Sequence, residues 1–221
     1  ETVCLAALDN KVKYGETVYV GSTVEGLLSM KGKRRHWAEL LPDIFSRIFT
    51  EAFDIKAIFG CEFYVANDLY VKSGKSKYAH LVLLAKDETG YNNICRLNSI
   101  AFKDGFYYKP RIDYKTLEQY HEGVVCLSAC LAGDIPQAIL SRNYDEAERL
   151  IQWFKNLFGD DFYLEVQNHH LPEQLEVNAK LFEYAEKFNV KLVATNDVHY
   201  IEKEDAEIQD VLMCVQMGKT V

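Results

Sequence analysis

The chain has 221 residues, 48% of them hydrophobic and 26% charged, proportions that exclude disorder and collagen-like repeats. Its 25 basic and 33 acidic residues leave a net charge of −8, which excludes gripping nucleic acid by bulk phosphate neutralisation; such contact must be local, metal-mediated or made by another domain. No apolar run reaches the roughly 18–20 residues of a membrane helix and no signal pattern opens the chain, so a cytoplasmic protein without membrane contact is expected.

In chain order, residues 2–8 and 16–23 read as strands around a Lys13-Tyr14-Gly15 turn. Residues 31–35 form a short basic run that reads as a solvated loop, and Pro42 starts a helix burying Ile44, Phe45, Ile48, Phe49 and Ala52. From residue 55 the pattern alternates, with apolar strand-like runs at 55–65, 80–85, 124–129, 162–166 and 190–195. Helical stripes separate them. Thr89 caps a helix that carries Ile94, Leu97 and Ala101 and ends before Gly105. Asn143 and Glu146 resemble a capping box ahead of Ala147, Leu150, Ile151, Phe154 and Leu157, with Gly159 as the stop. Pro172 opens the next helix, whose stripe is Leu175, Ala179, Phe182, Ala185 and Phe188. A last helix, about 204–217, buries Ile208, Val211, Leu212 and Val215 before Gly218.

This alternation predicts β-α units and a largely parallel sheet, barrel-like or doubly wound, with the active site at the carboxyl ends of the strands. No repeat or low-complexity linker divides the chain, so residues 1–221 are expected to form one domain. The tail from Met217 to Val221, just beyond a helix, reads as leading into a following domain.

Six cysteines are sparse and sit mostly inside apolar runs, the pattern of buried free thiols in a reducing compartment. Cys126 and Cys130 fall four apart on one apparent strand, about 13 Å at the usual rise and too far for a shared metal. The sharpest chemical feature is Thr195-Asn196-Asp197-Val198-His199-Tyr200 after an apolar run. On an extended segment Asp197 and His199 share a face, and a carboxylate beside an imidazole at a strand end begins a divalent-metal site. A capping Asp with an unrelated surface His explains the same spacing. Glu62 lies inside an apolar run, where a carboxylate must be paired, metal-bound or protonated. His80 opens another strand and Cys130 closes a third. His169 and His170 are adjacent at a strand end, so at most one looks into a site. No Ser-His-Asp order, P-loop, GxGxxG or HExxH is present.

Six segments occur in a telling order: Ile58-Phe59-Gly60-Cys61-Glu62-Phe63-Tyr64-Val65, His80-Leu81-Val82-Leu83-Leu84-Ala85-Lys86, Gly105-Phe106-Tyr107-Tyr108-Lys109-Pro110-Arg111-Ile112-Asp113, Leu127-Ser128-Ala129-Cys130-Leu131-Ala132-Gly133, Phe158-Gly159-Asp160-Asp161-Phe162-Tyr163-Leu164-Glu165 and Ala194-Thr195-Asn196-Asp197-Val198-His199-Tyr200. Over about residues 55–221 the chain resembles the polymerase and histidinol phosphatase (PHP) domains of bacterial replicative DNA polymerase III alpha subunits. The resemblance implies a distorted seven-stranded β/α barrel with up to three divalent ions at the strand ends. It makes Glu62, His80, Cys130, Asp197 and His199 metal ligands for zinc or manganese. Glu62, Asp197 and His199 are then catalytic in 3′–5′ exonuclease or phosphoesterase chemistry, and Arg111 contacts a phosphate near the metal cluster or serves as a salt bridge on the barrel surface. Implied partners are DNA, through the parent polymerase, and proofreading and other replicase subunits. Two other readings remain: a free-standing histidinol-phosphatase-like enzyme and a catalytically inactive structural domain.

Residues 1–54 depart from the family pattern. The family's first strand supplies two histidines one residue apart and then an Asp ligand. Here Thr2-Val3-Cys4-Leu5-Ala6-Ala7-Leu8 stands in that place, and His36 is the only histidine before residue 62. The expected complement is therefore fewer than three ions.

Overall fold

The computed structural model describes residues 2–7, 20–22, 56–73, 78–200 and 202–220. The Lys13-Tyr14-Gly15 turn, the 31–35 basic run, His36 and the helix expected at Pro42 lie outside these residues. Among the described residues nine strands and six α-helices follow in chain order: β1 (Thr2–Ala7), β2 (Val20–Ser22), β3 (Lys56–Ile58), β4 (Gly60–Ala66), β5 (Ala79–Ala85), α1 (Glu88–Lys103), β6 (Arg111–Asp113), α2 (Tyr114–Gln119), β7 (Val124–Leu127), α3 (Asp134–Leu140), α4 (Tyr144–Phe158), β8 (Phe162–Val166), α5 (Pro172–Phe188), β9 (Lys191–Ala194) and α6 (Ala206–Met217).

The expected strand–helix alternation is present, but the sheet is mixed rather than largely parallel. Six strands run in the order β6-β4-β5-β7-β8-β9. β5 is antiparallel to both β4 and β7, whereas β4–β6, β7–β8 and β8–β9 are parallel. The link from β4 to β5 has no helix among the described residues, and the strand returns as an antiparallel neighbour. A second sheet, β2-β1-β3, is antiparallel throughout. The α/β class therefore stands, while the described pairings comprise one six-stranded and one three-stranded sheet.

Alternation decides which face of the large sheet is core. In β4 and β5, Phe63, Val65, Leu81 and Leu83 are buried, while Glu62, Tyr64, His80, Val82 and Leu84 between them are only partly covered. The buried face packs on helices. α1 contributes Ile94, Leu97 and Ala101, and α4 contributes Ala147, Leu150, Ile151, Phe154 and Phe158, close to the expected stripes. α1 is capped by Asp87, whose carboxylate accepts from the Gly90 amide at 2.9 Å, rather than by Thr89. An extended Asp outranks a residue already inside the first turn as a cap. α4 is capped by Asn143 as expected, and Pro172 occupies the first turn of α5.

Two helical stripes differ from expectation. In α5 the buried residues are Gln174, Val177, Leu181, Tyr184 and Ala185, and Leu175 and Phe182 are exposed. The amphipathic side chains Gln174 and Tyr184 carry the buried face one position round the helix. In α6 the four residues expected to be buried are exposed, Val215 by 75%. Apolar spacing made the helix, but those side chains are not covered by the described residues.

Candidate metal centre

The antiparallel register sets Tyr64 opposite His80 and Glu62 opposite Val82, so Glu62 and His80 are diagonal neighbours on the half-covered face. Their side chains meet, with His80 Nδ1 at 3.1 Å from Glu62 Oε1. The third partner is Cys130, whose Sγ stands 3.6 Å from the same ring nitrogen. β7 ends at Leu127, so Cys130 belongs to a turn rather than to the strand shared with Cys126. The expectation of one strand face fails because Ala129 takes a left-handed φ of 64° and redirects the chain. That turn is fixed to His80 itself: the His80 amide donates to Ala132 O at 3.0 Å, and the Gly133 amide closes onto Cys130 O at 2.9 Å. Only glycine fits at 133, because a Cβ there would lie 2.3 Å from the Ser128 carbonyl oxygen.

Charge follows from this contact. Hydrogen bonds from the His80 ring to Cys130 and Glu62 raise its pKa to about 10, outweighing burial. Burial pushes the Glu62 carboxyl up, but the His80 hydrogen bond and charge prevail and hold it below the ordinary range. Both shifts describe an imidazolium bonded to a carboxylate at neutral pH. The His199 charge acts on Glu62 in the same direction.

The opposite wall comes from β8 and β9. A cleft of about 760 Å³ is lined by Glu62 and Cys130 on one side and by Glu165, Gln167, Thr195 and Asp197 on the other. β9 ends at Ala194, and Asp197 has a φ of 46°, so the chain is not extended at Asp197. The alternation argument that put Asp197 and His199 on one face therefore does not apply. Asp197 lines the cleft, while His199 is exposed and bonds through Nδ1 to the Asp197 carbonyl at 2.7 Å. His169 steadies this loop: its Nε2 meets Asn196 O at 2.7 Å and its Nδ1 meets Gln174 Nε2 at 2.9 Å. His170 is exposed, with a φ of 62°.

Arg111 is buried rather than set on the barrel surface, which favours neither the phosphate contact nor the surface salt bridge considered for it. It is 0% exposed, and its guanidinium donates to the carbonyls of Gly105, Leu69 and Val71 at 3.0, 3.2 and 3.2 Å. A phosphate has no approach to it in this arrangement. The buried-thiol expectation holds for Cys61 and Cys126, with burial pushing Cys61 up to about 12 and Cys126 well above its ordinary value. Sequence reasoning missed Glu165, a buried carboxylate in the cleft; its place in the apolar run 162–166 is the same signal that marked Glu62.

The donor set suits a divalent ion in kind: imidazole and thiolate favour zinc, and carboxylates accept manganese. No lysine or arginine lines the cleft among the described residues, so Glu165 and Asp197 have no lysine or arginine partner there, whereas Glu62 is paired with His80. Among those residues no three His, Cys, Asp or Glu side chains stand about one point at coordinating distance. Glu62, His80 and Cys130 are instead held to one another through Nδ1. No described helix is long and apolar enough to cross a membrane.

Comparison with known proteins gives a consistent result. The model of the PHP domain family matches residues 33–169. The chain is 47% identical over 169 residues to the DNA polymerase III subunit alpha of Borreliella burgdorferi, covering 74% of this chain and 15% of that protein. It is 46% identical over 175 residues to the subunit of the same name from Thermus aquaticus, covering 77% and 14%. The corresponding protein of Aquifex aeolicus is 46% identical over 177 residues, covering 76% and 15%. The chain thus spans about a seventh of the length of these relatives.

Proposed function

The chain belongs to the PHP domain family, and from that premise we propose that it is the PHP domain of a bacterial replicative DNA polymerase III alpha subunit, acting in DNA replication as a metal-binding phosphodiesterase module. PHP domains are in general metal-dependent. In this reading residues 1–221 form one domain built on a distorted β/α barrel to which both sheets contribute strands. Nucleotide addition and the grip on DNA belong to other parts of the polymerase, which fits a net charge of −8. Proofreading and other replicase subunits are its partners.

Glu62, His80, Cys130, Asp197 and His199 would hold zinc or manganese, fewer than three ions in all. A bound ion would polarise a phosphodiester and lower the pKa of a water. The chain's own residues do the rest. Glu62 and Cys130 orient the His80 ring, and His169 holds the loop that carries Asp197. The carrying observation is the meeting of Glu62, His80 and Cys130 beside a cleft that Asp197 also lines. Among the described residues the cleft offers a phosphate three carboxylates and no lysine or arginine, so a bound cation would favour its entry.

A second reading, a catalytically silent supporting domain, is favoured by the missing histidine pair in residues 1–54. The test is to strip the protein with chelator, reload it with zinc or manganese, and measure metal content and hydrolysis. The substrates are a single-stranded oligonucleotide labelled for 3′ cleavage and histidinol phosphate. Stoichiometric metal with nucleotide release from the 3′ end is the expected result. Metal without hydrolysis supports the silent domain, and phosphomonoester turnover alone supports a free-standing phosphatase. Stably folded protein that takes up no ion overturns the metal reading.

A further inference from the structure

β8 directs Tyr163 and Glu165 to the cleft, two residues apart on one side of the strand. Glu165 is only 6% exposed. Its backbone amide donates to Ser128 Oγ at 2.8 Å, which fixes the strand at this point. The carboxylate is served unequally. Oε1 accepts from Thr195 Oγ1 and from Gln167 Nε2, the latter at 2.9 Å. Oε2 is buried and, among the described residues, has no partner in ordinary hydrogen-bond geometry.

A proton does not resolve this imbalance. Ionised, Oε2 is a buried acceptor without a donor; protonated, it is a buried donor without an acceptor. Either state carries a penalty that folded proteins seldom leave standing. Burial raises the Glu165 pKa above the ordinary carboxylate range, and the nearby Asp197 charge adds to it, while its hydrogen bonds and the Ala129 amide pull the other way. Two carboxylates that line one cleft, with no lysine or arginine in its described lining, are relieved together by one cation.

We propose that Glu165 Oε2 is a further oxygen ligand for a divalent cation in this cleft, oriented by Thr195 and Gln167 through Oε1. The proposal rests on the metal reading above and adds a donor to it. Thr195 and Gln167 act as the outer hydrogen bonds that fix a coordinating carboxylate. A third carboxylate makes the site harder in character and shifts its preference toward manganese, which favours oxygen donors.

The test uses Glu165→Gln, which keeps the side-chain length and leaves an oxygen to accept from Thr195 and Gln167. Chelator-stripped wild-type and variant chains are titrated calorimetrically with Mn²⁺ alone, and both are melted in EDTA and in Mn²⁺. The expected result is at least a tenfold loss of Mn²⁺ affinity, or the loss of one equivalent, with the melting temperature in EDTA unchanged or raised. A variant that binds Mn²⁺ as the wild type does overturns the assignment of Glu165 and leaves the metal reading intact. A wild type that binds no Mn²⁺ overturns both. Should Glu165→Gln fail to fold in EDTA, Glu165→Asp is titrated in its place; unchanged affinity in that variant again overturns the proposal.

Discussion

Arg111→Ala separates a framework role from a phosphate contact. The guanidinium is fully enclosed, donates to three backbone carbonyls and lies 5.3 Å from the Tyr107 ring centroid. These bonds tie β6 to the turn after α1 and to residues 69–71. Hydrogen bonds to a charged group contribute about 1.5–3 kcal/mol each, and truncation leaves their carbonyls unpaired. The desolvation cost of a buried cation offsets part of the sum, so a net loss of about 4 kcal/mol is expected. At about 2–4 °C per kcal/mol for a domain of this size, the melting temperature falls by about 8–16 °C. Urea unfolding and thermal melts in EDTA measure this without any metal contribution. Arg111→Lys keeps the charge but not the planar fork, and recovers less than half of the loss. A loss below about 1 kcal/mol, with oligonucleotide KM raised instead, would refute the framework role.

Three further outcomes concern the cleft. In metal-free protein His80 holds its proton to about pH 10, so an incoming ion must displace it. Zn²⁺ affinity should therefore rise by up to about tenfold per pH unit between pH 7 and 9, with proton release detectable by calorimetry in two buffers of different ionisation enthalpy; pH-independent affinity contradicts this. For stability without metal the signs are opposite for the two partners. His80, raised from 6.5, contributes fully below that value and loses its contribution as pH rises through about 10. Glu62, lowered from 4.5, contributes above that value and loses its contribution as pH falls through its depressed folded value. The pair contributes most between pH 4.5 and 6.5. Glu62→Gln should therefore destabilise the protein most in that window, and urea midpoints that shift equally at all pH values count against the pairing. Asp197→Asn combined with His199→Ala should lower bound metal and shrink the melting-temperature gain from Zn²⁺, with little change in EDTA. Equal metal content and equal gain would remove that segment from the site.

Much of the fold was legible because local pattern and burial agree. The runs around Phe63, Leu81, Cys126 and Leu164 became strands, and α4 buried nearly the stripe that its spacing predicted. Strand direction was not legible, since the antiparallel setting of β5 depends on long-range pairing that no local run encodes. In α5 two apolar stripes overlap, and the buried one uses Gln174 and Tyr184, which pattern reading assigns to the surface. Left-handed turns at Ala129 and Asp197, both non-glycine, were equally hidden and changed where Cys130 and His199 lie. Glu62 and His80 stood out singly, but their contact needs the β4–β5 register. Arg111 shows the reverse: a motif residue that invites a substrate role is buried and donates to three backbone carbonyls.

Anomalous scattering from a zinc-soaked crystal tests the central claim most directly. The account predicts a peak in the cleft, with Glu62, His80 and Cys130 at zinc-bond distances of about 2.0–2.3 Å and Asp197 close by. A cleft without a peak, with Glu62 and Cys130 still bonded to the His80 ring at full zinc load, would contradict it.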